Sequence, residues 1–337
     1  MTDSLGRRYS ALEIDGHVHT HFSGDAILPP EKVVILADRR KLDAIVFTDH
    51  NSFKSHDAEL PRTKRGVLVI YGMEVGLAGV HIGAWNLSSK PRFQKRGPGA
   101  LQTLIQAVRE QPDALLILNH PGWRVGESYF RLETFVGPRE RTLDAVEIWN
   151  GTFWQFVAGN IARWEEFMEA GIYVPAVANS DSHYFTLGSP RNVLWVTDRT
   201  TRGVLEAVRD GRGYMTDDAR IVFLAEGALP GQLLRLERQG ATIRVLISGH
   251  SQYGGELRLF HGKRVIFEKQ LEKGAFRFTP NVLVGERDGW LRVEIRRQKE
   301  IRTRQRFTYT LLTNPVLYDV PPYDDHWDLE RERRGRR

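Results

Sequence analysis

Residues 15–26 read DGHVHTHFSGDA and put His17, His19 and His21 at alternate positions, with Asp25 four residues further on. A strand sends alternate side chains to one face, so His17 and His19 would point together. Side by side, neutral imidazoles add little to a core, but they are good metal ligands. A polar face on a strand or loop would give the same H-x-H spacing, so the rest of the chain has to decide between the two readings.

The decision comes from where other acids and histidines fall. AIVFTDH ends in Asp49 and His50, VLVIYGMEV carries Glu74, GVHIGAW carries His81, LLILNHPG ends in His120, and VPAVANSDSH ends in Asp181 and His183. Six of the 11 histidines thus stand at or just beyond the ends of apolar runs of strand length. In a barrel the C-terminal strand ends converge on one mouth, where active sites lie. Imidazole and carboxylate without sulfur suit zinc, manganese or iron(II). With Asp25, Glu74 and Asp181 the histidines make nine donors. That is too many for one ion that also holds substrate, so two or three divalent ions sharing a bridging carboxylate are expected.

The elements that must position these groups are legible as patterns. From residue 12 to about 218, short β-branched runs alternate with helix patterns: PPEKVVILADRRK, GALQTLIQAVREQ, WQFVAGNIARWEEFMEAG and TRGVLEAVRDG. Such alternation is α/β and implies a parallel sheet or a (β/α) barrel. After 218, runs such as ATIRVLISG, GELRLFHGKRVIFEKQL and WLRVEIRRQ alternate apolar and polar residues between Gly-containing turns. They read as an antiparallel β-sandwich with one solvated face. The expected division is therefore a barrel over 1–218, a β-sandwich over 219–315, and a strap with a basic tail over 316–337.

Bulk properties narrow the class. A chain of 337 residues with 41% hydrophobic and 27% charged residues is ordinary for a globular protein. No apolar run approaches the roughly 18–20 residues of a membrane span, and the N-terminus has no apolar signal core. Absence of cysteine excludes disulfides and thiolate metal sites. A cytoplasmic protein without a membrane partner is expected. The net charge of +6 and pI of about 9.5 favour an anionic partner, although part of that charge sits in the closing RERRGRR.

At this point the sequence resembles a known family. DGHVHT, TDHNS, GMEV, GVHIGAW, NHPG and SDSH are similar, in order, to motifs of the PHP (polymerase and histidinol phosphatase) superfamily. The resemblance covers about residues 12–218 and implies a distorted seven-stranded (β/α) barrel with a two- or three-metal cluster. Carried over residue by residue, it implies one ion on His17, His19, Glu74 and Asp181, and a second on Glu74, His81 and His120. A third would lie on Asp25, His50 and His183, and there SGDA departs from a commoner SDG. Gly16 stands where the family usually has an aliphatic residue, a change expected to matter little. AVRDGRGYMTDDARI and LLTNPVLYD also resemble the carbamate-hydrolase-related CehA/McbA branch, in which a β-sandwich follows the barrel.

Other residues have two readings. Asp15 and Asp49 are acceptors that would fix an imidazole tautomer, or capping carboxylates. Asn119 and Asn150 either line the mouth or form turns. His21 is a candidate proton donor to a leaving group, or pocket wall. Arg124 and Arg191 are candidate clamps for an anionic substrate, or surface arginines. Trp85, Trp123, Trp149 and Trp154 would form an aromatic wall or pack in the core. His56, His250, His261 and His326 read as surface residues.

The expectation is a phosphoesterase in which hydroxide bridging the ions attacks phosphorus, with Glu74 and Asp181 holding the cluster and a small anionic substrate as partner. A carbamate, ester or amide hydrolase with the same centre is the first alternative. A nuclease or nucleic-acid-acting protein is the second, although no RRM, KH or helix-turn-helix signature is visible. Oligomeric state is not set by the sequence.

Overall fold

Contacts divide the chain into two units, one of Ser10–Trp164 with Val174–Arg209, the other of Met1–Tyr9, Glu165–Tyr173 and Asp210–Arg337. The computed structural model describes residues 1–3, 5–58, 60, 63–64, 66–77, 79–122, 136–137, 140–301 and 304–321.

In the first unit, the apolar runs are strands β1 (Ser10–Val18), β2 (Ala44–Phe47), β3 (Val67–Leu77), β4 (Val80–Trp85), β5 (Leu115–Asn119), β6 (Ala145–Asn150), β7 (Ala176–Asn179) and β8 (Arg191–Val196). Helices α1 (Pro30–Arg39), α2 (Ala100–Arg109), α3 (Val157–Glu169) and α4 (Thr201–Asp210) occupy the amphipathic stretches. Proline opens α1, where its missing N–H costs nothing. Beyond α3, Gly171 takes φ 77° and its N–H returns to the Met168 carbonyl at 3.1 Å.

The ladder runs β7-β6-β5-β4-β3-β2-β1-β8. Pairs β1–β2, β2–β3, β5–β6 and β6–β7 are parallel, whereas β3–β4, β4–β5 and β1–β8 are antiparallel. The two ends of this path are linked by a side chain: the Asn192 amide accepts from the Ala178 N–H at 2.8 Å and donates to its carbonyl at 2.6 Å. The expected α/β architecture with parallel strands is present. Among the described residues this path has eight strands of mixed direction, against the seven of the expected barrel.

Inward side chains change character along the strands. Ile14, Ile70, Ile117, Ala145 and Val177 belong to one buried apolar cluster, sealed by Val204, Leu205 and Val208 of α4. Two or four residues further along the same strands come Glu74, Asn119, Glu147 and Asn179, all buried. β1 needs a correction of phase to join this polar layer. Between Asp15 and Val18 it advances three residues while β2 advances two. This one-residue bulge lets Ile14 and His17 face the same interior.

Gly16 lies inside the bulge and matters more than expected. A Cβ there would lie 2.1 Å from two carbons of the Trp85 indole and 2.9 Å from Asn179 Oδ1. Trp85 is 1% exposed and belongs to the apolar cluster, so it fills the floor beneath the polar layer and does not wall the mouth. Trp149 is also buried, Trp154 is exposed, and Trp123 lies outside the described residues.

The second unit holds the antiparallel strands expected after 218. β9 (Gly213–Thr216), β10 (Arg220–Ala225) and β11 (Leu233–Arg235) are followed by β12 (Thr242–Ser251), β13 (Gly255–His261), β14 (Arg264–Leu271), β15 (Gly274–Phe278) and β16 (Asn281–Leu283). β17 (Gly289–Ile301), β18 (Arg304–Thr313) and β19 (Val316–Asp319) complete it. One antiparallel set runs β9-β18-β17-β13-β14, and another joins β12 to β10, β15 and β16. Residues 316–319, expected in a strap, form a strand bonded to β17 and β11. All four residues are buried, so no alternation marks them. No helix among the described residues is long and apolar enough to cross a membrane.

Candidate metal centre

Glu74 is the hub of the polar layer. Its Oε1 lies 3.1 Å from each of His17 Nε2, His81 Nδ1 and His120 Nε2, and accepts from Asn119 Nδ2 at 2.9 Å. Its Oε2 lies 2.9 Å from His50 Nδ1 and 3.6 Å from His19 Nε2. Asp181 Oδ1 is 3.1 Å from His19 Nε2, 3.4 Å from His17 Nε2 and 3.6 Å from His183 Nδ1. At the solvent side, Asp25 Oδ2 is 3.2 Å from His50 Nε2 and 3.4 Å from His183 Nε2. All nine candidate ligands expected from the sequence are therefore brought together.

His81 arrives by a different route from the one expected. It stands near the start of β4, which runs antiparallel to β3 with His81 opposite Gly76. The start of a reversed strand reaches the same mouth as the ends of its parallel neighbours. Four overlapping groups, His17–His19–Asp181, His17–Glu74–His120, His50–Glu74–His81 and His19–His50–His183, each present ligand atoms within 4.8 Å of one another. The grouping differs from the resemblance in placing His81 with His50 and His120 with His17.

The donor atoms crowd one another, with His120 Nε2 bonded to Glu74 Oε1 at 3.1 Å, and they are too many to satisfy each other. Buried His17 Nε2, His19 Nε2, Glu74 Oε2 and Asp181 Oδ1 have no hydrogen-bond partner among the described residues. Leaving one buried polar atom unsatisfied costs about 1–3 kcal/mol, so four together need a shared partner. A divalent cation is the partner this donor set fits. Charge agrees: burial alone would raise the Glu74 carboxyl, but His17, His120 and His50 hold it well below the usual carboxylate range. Burial would likewise lower His17, but Glu74, Asp181 and Glu147 hold it well above the ordinary imidazole value. The pocket thus carries buried negative charge that attracts cations.

A further carboxylate, Glu147 on β6, was not singled out from the sequence. It is fully buried, its Oε1 lies 3.1 Å from His17 Nδ1 and accepts from Asn179 Nδ2 at 2.8 Å, and its Oε2 accepts from the His120 N–H at 3.0 Å. It fixes which nitrogen of His17 is left to bind a cation. Asp49 acts through a hydroxyl: Ser23 Oγ donates to Asp49 at 2.8 Å and lies 2.9 Å from His19 Nδ1. Among the described residues, Asp15 bonds backbone N–H groups and the Ser180 hydroxyl and not an imidazole. It accepts from the backbone N–H groups of Ser180 and Gly188 at 3.1 and 2.7 Å and so ties the loop after β7; burial pushes its carboxyl up to about 6. Asn150 donates to Glu147 at 2.8 Å and to Asp181 at 3.3 Å.

Two candidate ligands sit on unusual backbone. His120 has φ 29° and Asp181 φ 52°, conformations that cost about 1–3 kcal/mol each and cluster at functional sites.

The remaining expectations fare differently. His21 is exposed and packs on Phe22 with ring centroids 4.1 Å apart. Arg191 does not reach the cluster: its guanidinium donates to Glu13 at 2.8 Å and to the Arg40 carbonyl at 3.3 Å, which corrects its assignment as a substrate clamp. Arg124 and His326 lie outside the described residues. His56 packs against Phe53 and Tyr71, and His261 bonds the Tyr318 hydroxyl, so neither is a plain surface residue.

Residues 15–144 match the PHP domain family model, which spans Asp15 to the segment before β6 and takes in seven of the nine candidate ligands. Over that segment the chain is similar to the PHP domain family. Among solved structures, this chain is similar to a two-domain protein from Bacteroides vulgatus containing a predicted PHP-like metal-dependent phosphoesterase. Identity is 18%, coverage is 90% of this chain and 96% of that one, and the TM-score is 0.54, a likeness of fold. A "putative metal-dependent phosphoesterase" from Bifidobacterium adolescentis is 14% identical, with 52% of this chain and 90% of that one covered and a TM-score of 0.37. No curated protein matches the sequence.

Proposed function

We propose that this PHP protein is a metal-dependent phosphoesterase working at the Glu74 cluster. The observation that carries the reading is the convergence of nine candidate nitrogen and oxygen ligands, four of which carry a buried, unsatisfied polar atom. Zinc, manganese or iron(II) would suit the donors, and two or three ions would satisfy them. When bound, such ions polarise a phosphoryl oxygen and lower the pKa of water. Glu74 would hold the ions from the centre of the cluster, His17, His19 and Asp181 from its deep side, and Asp25, His50 and His183 from its solvent side. Glu147 and the Ser23–Asp49 pair hold His17 and His19 in the ligating tautomer. No side-chain nucleophile is needed.

A second reading is favoured by one observation. Ile27, Tyr184 and Phe185 are 57%, 54% and 60% exposed, beside Asp25 and His183 in sequence, and the Ile27 N–H bonds the His183 carbonyl at 3.4 Å. Such an apolar lip would suit a carbamate or carboxyl ester.

Reconstitution with each metal, followed by assay on phosphomonoesters, phosphodiesters, carboxyl esters and carbamates, separates the two. Chelator-sensitive turnover of a phosphoester is expected. A fully loaded protein that cleaves only the carbon-centred substrates would overturn the phosphoester reading.

A further inference from the structure

A cavity of about 750 Å³ is lined by Asn51, Met73 and, from the loop after β4, Lys90, Arg92, Phe93 and Lys95. It adjoins the cluster through Asn51, the residue after His50. The Asn51 N–H donates to the Glu74 carbonyl at 2.7 Å, and the Lys90 ammonium donates to the Asn51 carbonyl at 3.0 Å. At Gly76, Asn51 Nδ2 and His81 Nε2 each lie 3.7 Å from where a Cβ would stand. One residue therefore borders both the cavity and the metal ligands.

The charge of the loop is one-sided. KPRFQKR places Lys90, Arg92, Lys95 and Arg96 within seven residues with no acid between them. Arg92 and Lys95 are exposed, and among the described residues neither has an acidic partner. A solvated basic loop is a common surface feature. This one lines a cavity beside a candidate metal centre, and a concave surface focuses the field of its like charges on an entering anion.

We propose that this cavity receives a second phosphate group of the substrate, so that the preferred substrate is a bisphosphate whose other ester lies at the Glu74 cluster. Arg92 offers a planar fork for two phosphate oxygens, and Lys90 and Lys95 add point charges. The half-buried Phe93 covers the apolar linker between the two phosphates. The proposal rests on the phosphoester reading above.

The test compares alkyl phosphates with α,ω-alkanediol bisphosphates of graded chain length on the metal-loaded full chain. At the best length, the bisphosphate should show at least about a tenfold higher kcat/KM, carried by KM, since each 1.4 kcal/mol is tenfold. Arg92→Ala and Lys95→Ala should each remove most of that preference. Equal kcat/KM for both substrate classes at every length, or a preference that survives the double variant, would overturn the proposal. If the loaded protein cleaves no phosphoester, the phosphoester reading fails by itself, and the cavity is read by titration calorimetry of chelated full-length protein with inorganic pyrophosphate. Binding that is lost in Arg92→Ala/Lys95→Ala supports an anion site in the cavity; no binding, or equal binding in both, overturns it.

Discussion

Glu147 uses both carboxylate oxygens inside the protein, one toward His17 and Asn179 and the other toward the His120 N–H and Asn150. It therefore holds two candidate ligands, one by side chain and one by backbone, without being aimed at a cation itself. Removing such a partner commonly weakens metal affinity 10- to 100-fold. Glu147→Gln should do so while keeping the protein folded, as read by competition with a calibrated chelator and by circular dichroism. Unchanged affinity would mean that His17 is oriented by packing alone. The nine candidate ligands were legible because imidazoles and acids at the ends of apolar runs have few other uses. Glu147 was harder to see: it sits inside the strand AVEIWN as a lone charge, and one acid in an apolar run has no spacing to signal it. What could have found it is its charge, since an unpaired carboxylate in a buried strand is too costly to keep. Arg191 misled for the opposite reason. Nearness in sequence to SDSH said nothing of direction, and its guanidinium is taken up by Glu13.

At the scale of elements, strands and helices followed from periodicity, but two irregularities that aim the ligands did not. One is the β1 bulge, which appears only as a register difference against β2. The other is the reversal of β4, since GVHIGAW reads alike in either direction. The bulge depends on a tight pairing of Gly16 with Trp85. Adding a methyl group at Gly16 forces the indole or the strand to move, and overpacking of this kind costs about 1–3 kcal/mol or more. Gly16→Ala should lower the urea midpoint, and Trp85→Phe in the same chain should recover part of the loss. The double variant would then be less destabilised than the sum of the single variants, a coupling expected only for residues in contact. Additive losses would show that Gly16 is needed for its backbone and not for the space given to Trp85.

At the scale of the molecule, the change of texture near residue 218 was visible. The contribution of Met1–Tyr9 and Glu165–Tyr173 to the second unit was not, because membership of a unit across a long gap in the chain leaves no local pattern. That unit has its own buried charge network: Arg292, 2% exposed, donates to Glu165 and, at 3.0 Å, to Glu294, and stacks over Phe260 with its guanidinium carbon 3.9 Å from the ring centre. Breaking a buried pair on one side costs about 3–5 kcal/mol. Arg292→Ala should therefore lower stability by several kcal/mol in chemical denaturation, and a loss below about 1 kcal/mol would show that water replaces the guanidinium. The central claim, however, concerns the cluster in the first unit. Its most direct test is elemental analysis of wild type and Glu74→Gln after reconstitution with zinc, manganese and iron(II) and removal of free metal. Two or three ions per wild-type chain and the loss of at least one ion in Glu74→Gln are expected, because a neutral amide is a poor bridge between dications. Less than one ion in wild type with every metal, or the same content in both proteins, would contradict the claim.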